Sequence, residues 1–248
     1  MEKAARIRSR LLNASSIAVL TGAGISADSG VPTFRGEDGL WRNFRAEELA
    51  TPHAFRKDPG LVWEWYNWRR EIIATKNPNA AHHALVKLER HAQSFILITQ
   101  NVDGLHEKAG SKNITEIHGN IWKTRCTACG DVSHNFDVPI DSLPHCKKCN
   151  GLLRPHIVWF GESLAPADIK RSMDALRTCE VLLVIGTSGV VQPVASFVSA
   201  AKEAGAYVVE INIEETPNSY LVNEVLIGRA SDVVPGLIEA VMLRGDDF

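Results

Sequence analysis

Four short runs in the chain are apolar almost from end to end: Ser16 to Thr21, Phe95 to Thr99, Val181 to Ile185 and Tyr207 to Ile211. A strand that shows no alternation of apolar and polar residues is covered on both faces, which is the condition of a parallel sheet between two helical layers. Stretches with helical periodicity, 79 to 91, 166 to 178 and 193 to 204, separate the later runs. An amphipathic segment from Glu2 to Asn13 precedes the first. The pattern predicts an α/β fold with a doubly wound, Rossmann-like parallel sheet. With 248 residues, a prior of about 150 per domain leaves room for roughly one domain and an appendage.

The appendage is indicated by the cysteines. Five is an odd number, and four of them form two C-x2-C pairs, Cys126/Cys129 and Cys146/Cys149, separated by 16 residues. That spacing is a zinc ribbon, in which two tight turns aim four thiolates at one ion. A site built from four thiolates leaves no position for water, so one structural Zn2+ is expected. Cys179, beside an apolar run, reads as a buried bystander. The predicted organisation is a Rossmann-like domain of residues 1–37, 92–119 and 157–248. It is interrupted by a helical insertion at 38–91, holding Trp41, Trp63, Trp65 and Trp68, and a zinc-binding insertion at 120–156.

Net charge is −2, so no overall basic field exists to hold nucleic acid or an anionic membrane. No apolar run reaches the roughly 18 residues needed to cross a bilayer, and the N-terminus lacks a secretory h-region. A cytoplasmic protein is the expectation. The Arg-rich segment 2–13 also suits a mitochondrial transit peptide if the source is eukaryotic.

In a doubly wound sheet, ligands bind at the carboxyl ends of the strands. Gly22-Ala23-Gly24-Ile25-Ser26-Ala27 follows the first run and satisfies G-x-G-x-x-A, in which glycines let the backbone approach a pyrophosphate whose charge sits on amide N–H groups. Gly186-Thr187-Ser188-Gly189 follows another run, and Asn212-Ile213-Glu214 ends the next, with Glu214 suited to a ribose hydroxyl. Gln100-Asn101-Val102-Asp103 leaves a buried strand and precedes His106 and His118-Gly119. Asn101 and Asp103 also read as helix caps.

These segments, with Pro32-Thr33-Phe34-Arg35-Gly36 and Val158-Trp159-Phe160-Gly161-Glu162, occur in the order found in sirtuins. The chain resembles these NAD-dependent protein-lysine deacylases over nearly its whole length, departing locally at Gly189. The resemblance implies that NAD lies across the sheet and that an acyl-lysine enters from the opposite side. The acyl oxygen then attacks the ribose carbon that bears nicotinamide, and the products are nicotinamide, free lysine and 2′-O-acyl-ADP-ribose. By similarity, NAD contacts come from Gly22, Ala23, Gly24, Ile25, Asp28, Thr33, Phe34, Arg35 and Trp41. Further contacts come from Gln100, Asn101, Val102, Asp103, Gly186, Thr187, Ser188, Asn212, Ile213, Glu214 and Ala230. Asn101 and His118 are the implied catalytic residues, His118 as general base toward a ribose hydroxyl. The backbones of Val158, Trp159, Phe160 and Gly161, with Gly189, Val190 and Val191 opposite, would clamp the peptide as an added strand.

Tyr66 and Arg69 stand three apart on a helix-compatible stretch and so share a face. Arg offers a planar fork to a carboxylate and Tyr a further hydroxyl donor, which an acetyl group would not require. This Y-x-x-R, with small Ala46 and Ala50, resembles the class III sirtuins, which implies removal of succinyl and malonyl groups and also of acetyl. Two other functions fit parts of the pattern. One is an NAD-dependent protein ADP-ribosyltransferase; the other is a zinc-ribbon nucleic-acid module using Lys123, Arg125, Lys147 and Lys148.

Overall fold

The computed structural model describes residues 2–32, 40–41, 44–141 and 143–245. Thr33, Phe34 and Arg35, expected in the cofactor loop, lie outside the described residues. The chain opens with α1 (Glu2–Asn13), β1 (Ser16–Thr21) and a single turn of helix, α2 (Gly24–Ala27). A short hairpin follows, β2 (Leu40–Trp41) with β3 (Phe44–Arg45), and then α3 (Ala46–Leu49), α4 (Pro52–Lys57), α5 (Pro59–Ala74) and α6 (Ala80–His91). Three of these starts are written in the sequence. Thr51, Asp58 and Asn79 cap α4, α5 and α6 by accepting from backbone N–H groups, and proline stands at the first position of α4 and α5.

Next come β4 (Ser94–Thr99), α7 (Leu105–Ala109) and β5 (Ile114–Glu116), then β6 (Gly119–Cys126), β7 (Val132–His134) and β8 (Leu153–Ile157). The chain closes with α8 (Pro166–Leu176), β9 (Val181–Ile185), α9 (Phe197–Glu203), β10 (Tyr207–Asn212), β11 (Glu224–Ile227) and α10 (Ala230–Gly245). β11, β10, β9, β1, β4 and β5, in that order, form one sheet in which every pairing is parallel. Successive residues of the apolar runs serve opposite faces. Ile17, Val19, Leu97, Leu183 and Val209 pack under α1, α6 and α10; Ala18, Leu20, Ile98, Leu182 and Val208 pack with α8 and α9. This two-sided burial is why the runs show no alternation.

The chain lays β4 and β5 on one side of β1 and β9 to β11 on the other. The reversal between β1 and β9 opens a crevice at their carboxyl ends, where a ligand site forms in such sheets. A second body consists of α3 to α5 packed on the antiparallel sheet β7-β6-β8 through Trp63, Trp65, Tyr66, Ile121, Ile157 and Trp159. The helical insertion read as 38–91 ends earlier than expected. Ala81, Ala84, Leu85 and Leu88 turn one stripe of α6 onto the sheet, so α6 is a covering helix of the Rossmann-like body.

Candidate active site and metal centre

The crevice holds a cavity of about 840 Å³. Its floor is two glycine turns in contact. Gly22 N–H donates to the Ile185 carbonyl at 3.0 Å, and Gly24 N–H donates to the Gly186 carbonyl at 2.8 Å. A Cβ on Gly24 would stand 2.7 Å from Gly186 Cα, and one on Gly186, whose φ is +61°, would stand 2.5 Å from Ile25 N. These glycines therefore let two strand ends meet. The Gly22 amide is spent on the last residue of β9 and the Gly24 amide on the turn that follows it.

Polar side chains brace this floor. Gln100 Nε2 donates to Thr187 Oγ1 at 2.8 Å, Asn101 Nδ2 to the Gly22 carbonyl at 3.1 Å, and Asn212 Nδ2 to the Thr187 carbonyl at 2.9 Å. Asp103 is buried and its Oδ1 accepts from Leu105 N–H at 2.8 Å, while the N-cap of α7 is Gly104, so Asp103 braces the turn before the helix and does not cap it. Burial raises the Asp103 carboxyl above its ordinary pKa, against the pull of that N–H. His118, which directly precedes β6, places Nδ1 at 3.1 Å from the Gln100 carbonyl. A carbonyl only accepts, so Nδ1 carries the proton and Nε2 keeps a lone pair. Burial holds the His118 pKa below its ordinary value, partly offset by the Gln100 carbonyl.

The far wall comes from α3, α5 and the segment after β8. Tyr66 and Arg69 line the cavity with Ala50, Trp159 and Phe160. The Tyr66 hydroxyl accepts from Trp159 Nε1 at 2.8 Å, and burial pushes its pKa up to about 12, so it stays a neutral donor. Arg69 is half-buried and its Cζ lies 5.4 Å from the centre of the Trp65 ring. Burial lowers its pKa, while Tyr66 and Asp103 oppose the shift. Three successive amides of the expected peptide clamp are committed inside the protein. Val158 N–H donates to the His118 carbonyl, Trp159 N–H to Glu162 Oε2 and Phe160 N–H to the Ala50 carbonyl, each at 2.9 Å.

Gly22, Ala23, Gly24, Gln100, Asn101, Val102, Asp103, His118, Val158, Gly161, Gly186, Thr187, Ser188, Asn212, Ile213 and Glu214 also line the cavity. Other expected residues stand away from its wall. Ile25 lies in the core, Ala230 packs in the same cluster, and Asp28 bonds Arg229 and Ser231 at 2.6 and 2.7 Å. On the opposite side of the expected clamp Val190 is exposed, while Val191 lines the cavity. Ala46, the first residue of α3, is buried in the core, and Glu47 beside it reaches the lining instead. Trp41 is placed in β2. Sequence reasoning missed Glu47, Ser26 and the run Glu215-Thr216-Pro217. The last two continue motifs already singled out and could have been read; a glutamate on an exposed helical turn carries no such signal.

Cys126, Cys129, Cys146 and Cys149 come together with all four Sγ atoms within 4.8 Å of one another. Cys126 and Cys149 are 3.4 Å apart and Cys129 and Cys146 3.8 Å, close to the roughly 3.8 Å edge of a tetrahedron with Zn–S bonds of about 2.3 Å. Ala128 and Cys129 N–H groups point at Cys126 Sγ, and Lys148 N–H at Cys146 Sγ. The Cys129 and Ala128 amides, with the neighbouring Cys149 and Cys129 thiols, lower the Cys126 pKa to about 6, toward the thiolate that a metal requires. The set fits one zinc ion. Two of the basic residues around it are locally paired, Lys123 with Glu116 at 2.7 Å and Lys148 with Asp131 at 2.5 Å.

The Sir2 family model matches residues 22–193. An NAD-dependent protein deacylase of Aquifex aeolicus is 56% identical over 203 residues, 82% of this chain and 85% of that protein. NAD-dependent protein deacylase 2 of Pyrobaculum aerophilum is 51% identical over 227 residues, 91% of each chain. The solved structure of a Sir2 homolog–NAD complex superposes with a TM-score of 0.92 at 45% identity, covering 97% of this chain and 94% of that one. The chain belongs to the Sir2 family.

Proposed function

We propose that this chain is an NAD-dependent protein deacylase that removes acidic acyl groups, succinyl and malonyl, as well as acetyl, from lysine. The observation that carries the acyl preference is the placement of Tyr66 and Arg69 together on the cavity wall. A neutral hydroxyl and a guanidinium there offer donors to a carboxylate, which an acetyl group lacks. Ala50 in the same wall leaves room for a longer chain.

NAD supplies an electrophilic ribose carbon and nicotinamide as leaving group. The ends of β1, β9 and β10 present Ala23, Thr187, Ser188, Asn212 and Glu214 as its binding groups, and the cavity volume lies within the range of small-molecule sites, about 300 to 1,000 Å³. Asn101 and Asp103, anchored by the bonds described above, orient the ribose and carboxamide. His118 takes a proton from a ribose hydroxyl on Nε2. Its depressed pKa keeps that lone pair free at neutral pH, and the Gln100 carbonyl stabilises the imidazolium that forms. The peptide runs between Val158–Gly161 and the Gly189–Val191 turn. With the amides of 158–160 already committed, main-chain pairing on that wall falls to the carbonyl oxygens and the Gly161 amide.

The local pairing of Lys123 and Lys148 speaks against a nucleic-acid surface on the ribbon. Among the described residues no helix is long and apolar enough to cross a membrane. The test is a side-by-side assay of nicotinamide release from acetyl-, malonyl- and succinyl-lysine peptides of one sequence. Higher kcat/KM on the two acidic acyl groups is expected; a preference for acetyl would refute the acidic-acyl reading.

A further inference from the structure

Helix α5 serves two neighbours at once. Trp63, Asn67 and Arg70, spaced four and three apart, share one stripe of it. All three bond main-chain groups of the zinc-binding insertion and its flanking strands. Trp63 Nε1 donates to the Leu153 carbonyl at 3.0 Å. Asn67 makes a reciprocal pair with Ile140, its Nδ2 donating to the carbonyl at 2.8 Å and its Oδ1 accepting from the N–H at 3.0 Å. Arg70 is 1% exposed and is the hub. Its Nη1 donates to the Ile121 carbonyl, and its Nη2 to the carbonyls of Asn135 and Asp137, both at 2.8 Å, and to Asn135 Oδ1 at 2.7 Å. Its Nε donates to the Asp137 carbonyl at 3.3 Å, and its Cζ lies 4.9 Å from the centre of the Trp122 ring.

A buried guanidinium held by carbonyl oxygens has few other places to go, because any shift leaves a charge without solvation. The planar fork also fixes direction, which a lysine ammonium would not. Tyr66 and Arg69 leave the same helix about a quarter turn away, at 100° per residue. A rotation of α5 that breaks the Arg70 bonds therefore swings Tyr66 and Arg69 by the same angle. The residues expected to hold NAD hang from β1, β4, β9 and β10, whereas the bonds of Arg70 run to residues 121, 135 and 137.

We infer that Arg70 is a positioning residue for acyl-lysine recognition: by clamping α5 to the backbone of the zinc-binding insertion, it sets the helix rotation at which Tyr66 and Arg69 meet the acyl group. This rests on the reading that those two side chains line the acyl site.

The test uses purified Arg70→Lys and Asn67→Ala, with zinc content and thermal melting measured on each. KM is determined for NAD and for whichever acyl-lysine peptide the wild type turns over best. For Arg70→Lys, the acyl-peptide KM is expected to rise roughly tenfold or more, since displacements of about 1 Å cost up to about a hundredfold, while KM for NAD stays within about twofold. Asn67→Ala, the milder lesion, is expected to move the same constant in the same direction and carries the test if Arg70→Lys does not fold. A folded, zinc-loaded variant with unchanged acyl-peptide KM overturns the inference, as does an equal rise in both constants, the signature of general loosening. A wild type that prefers acetyl-lysine refutes the acidic-acyl reading but leaves this test in force, because KM is read on the preferred peptide.

Discussion

Replacing Arg69 with methionine keeps an unbranched apolar stem and removes the guanidinium with its charge. In the wild type the guanidinium stands on the cavity wall near Tyr66, half-buried, so a succinyl carboxylate there exchanges water for a fork of N–H donors. Deleting one partner of a buried ion pair costs about 3 to 5 kcal/mol, because the other charge is left unpaired. The cavity is open on one side and Arg69 is only half-buried, which moves the figure down to about 2 to 3 kcal/mol. At about 1.4 kcal/mol per decade, kcat/KM for a succinyl-lysine peptide should fall roughly 30- to 100-fold. An acetyl-lysine peptide presents no carboxylate and loses only van der Waals contact, so its kcat/KM should change by less than about threefold. The assay is steady-state nicotinamide release on two peptides that differ only in the acyl group, at saturating NAD. Most of the succinyl loss should appear in KM, since the carboxylate is bound in ground state and transition state alike. A proportional loss on both peptides would sink the argument, because Arg69 would then be supporting the fold or the NAD site.

Two further perturbations probe the base and the metal. His118→Tyr should abolish turnover while leaving the melting temperature near that of the wild type. For the wild type, the depressed His118 pKa places the acid limb of kcat/KM below pH 6.5, activity falling as the imidazole protonates; a limb centred at or above 6.5 would contradict the burial argument. Cys126→Ser, or a strong chelator, should release zinc and lower thermal stability, since the insertion is stapled by four thiolates. An unchanged melting temperature in zinc-free protein would show that the site is dispensable to the fold.

The sheet was legible because its central strands are buried on both faces, a condition that writes itself into sequence as unbroken apolar runs. The edge strands were not. β5 is Ile114-Thr115-Glu116 and β11 is Glu224-Val225-Leu226-Ile227, each paired on one side only and partly exposed, so neither carries the unbroken signal. α6 was assigned to the wrong body although its stripe of Ala81, Ala84, Leu85 and Leu88 was visible, because a stripe says that a face is buried and not against what. The same limit governed the glycines. That Gly22, Gly24 and Gly186 need close approach was readable, but the partner is the other turn, 164 residues away for Gly22 and Gly186, and no local pattern names it.

α5 shows the limit most clearly. Tyr66 and Arg69 could be paired from spacing alone, because both are side chains and the helical period relates them. Trp63, Asn67 and Arg70 obey the same period, yet their partners are main-chain groups of residues 121, 135, 137, 140 and 153 and one Asn135 side-chain oxygen. A main-chain carbonyl is present at every residue, so a bond to it leaves no residue type to recognise at the accepting end. What the sequence does hold is the donor, an arginine one position beyond a pocket residue. A cation so placed reads as solvated until the fold shows it 1% exposed. The proximity of Tyr66 and Arg69, the proposed recognition residues, was therefore legible from their spacing, whereas the groups that hold the helix in place are legible only once the zinc-binding insertion has folded against it.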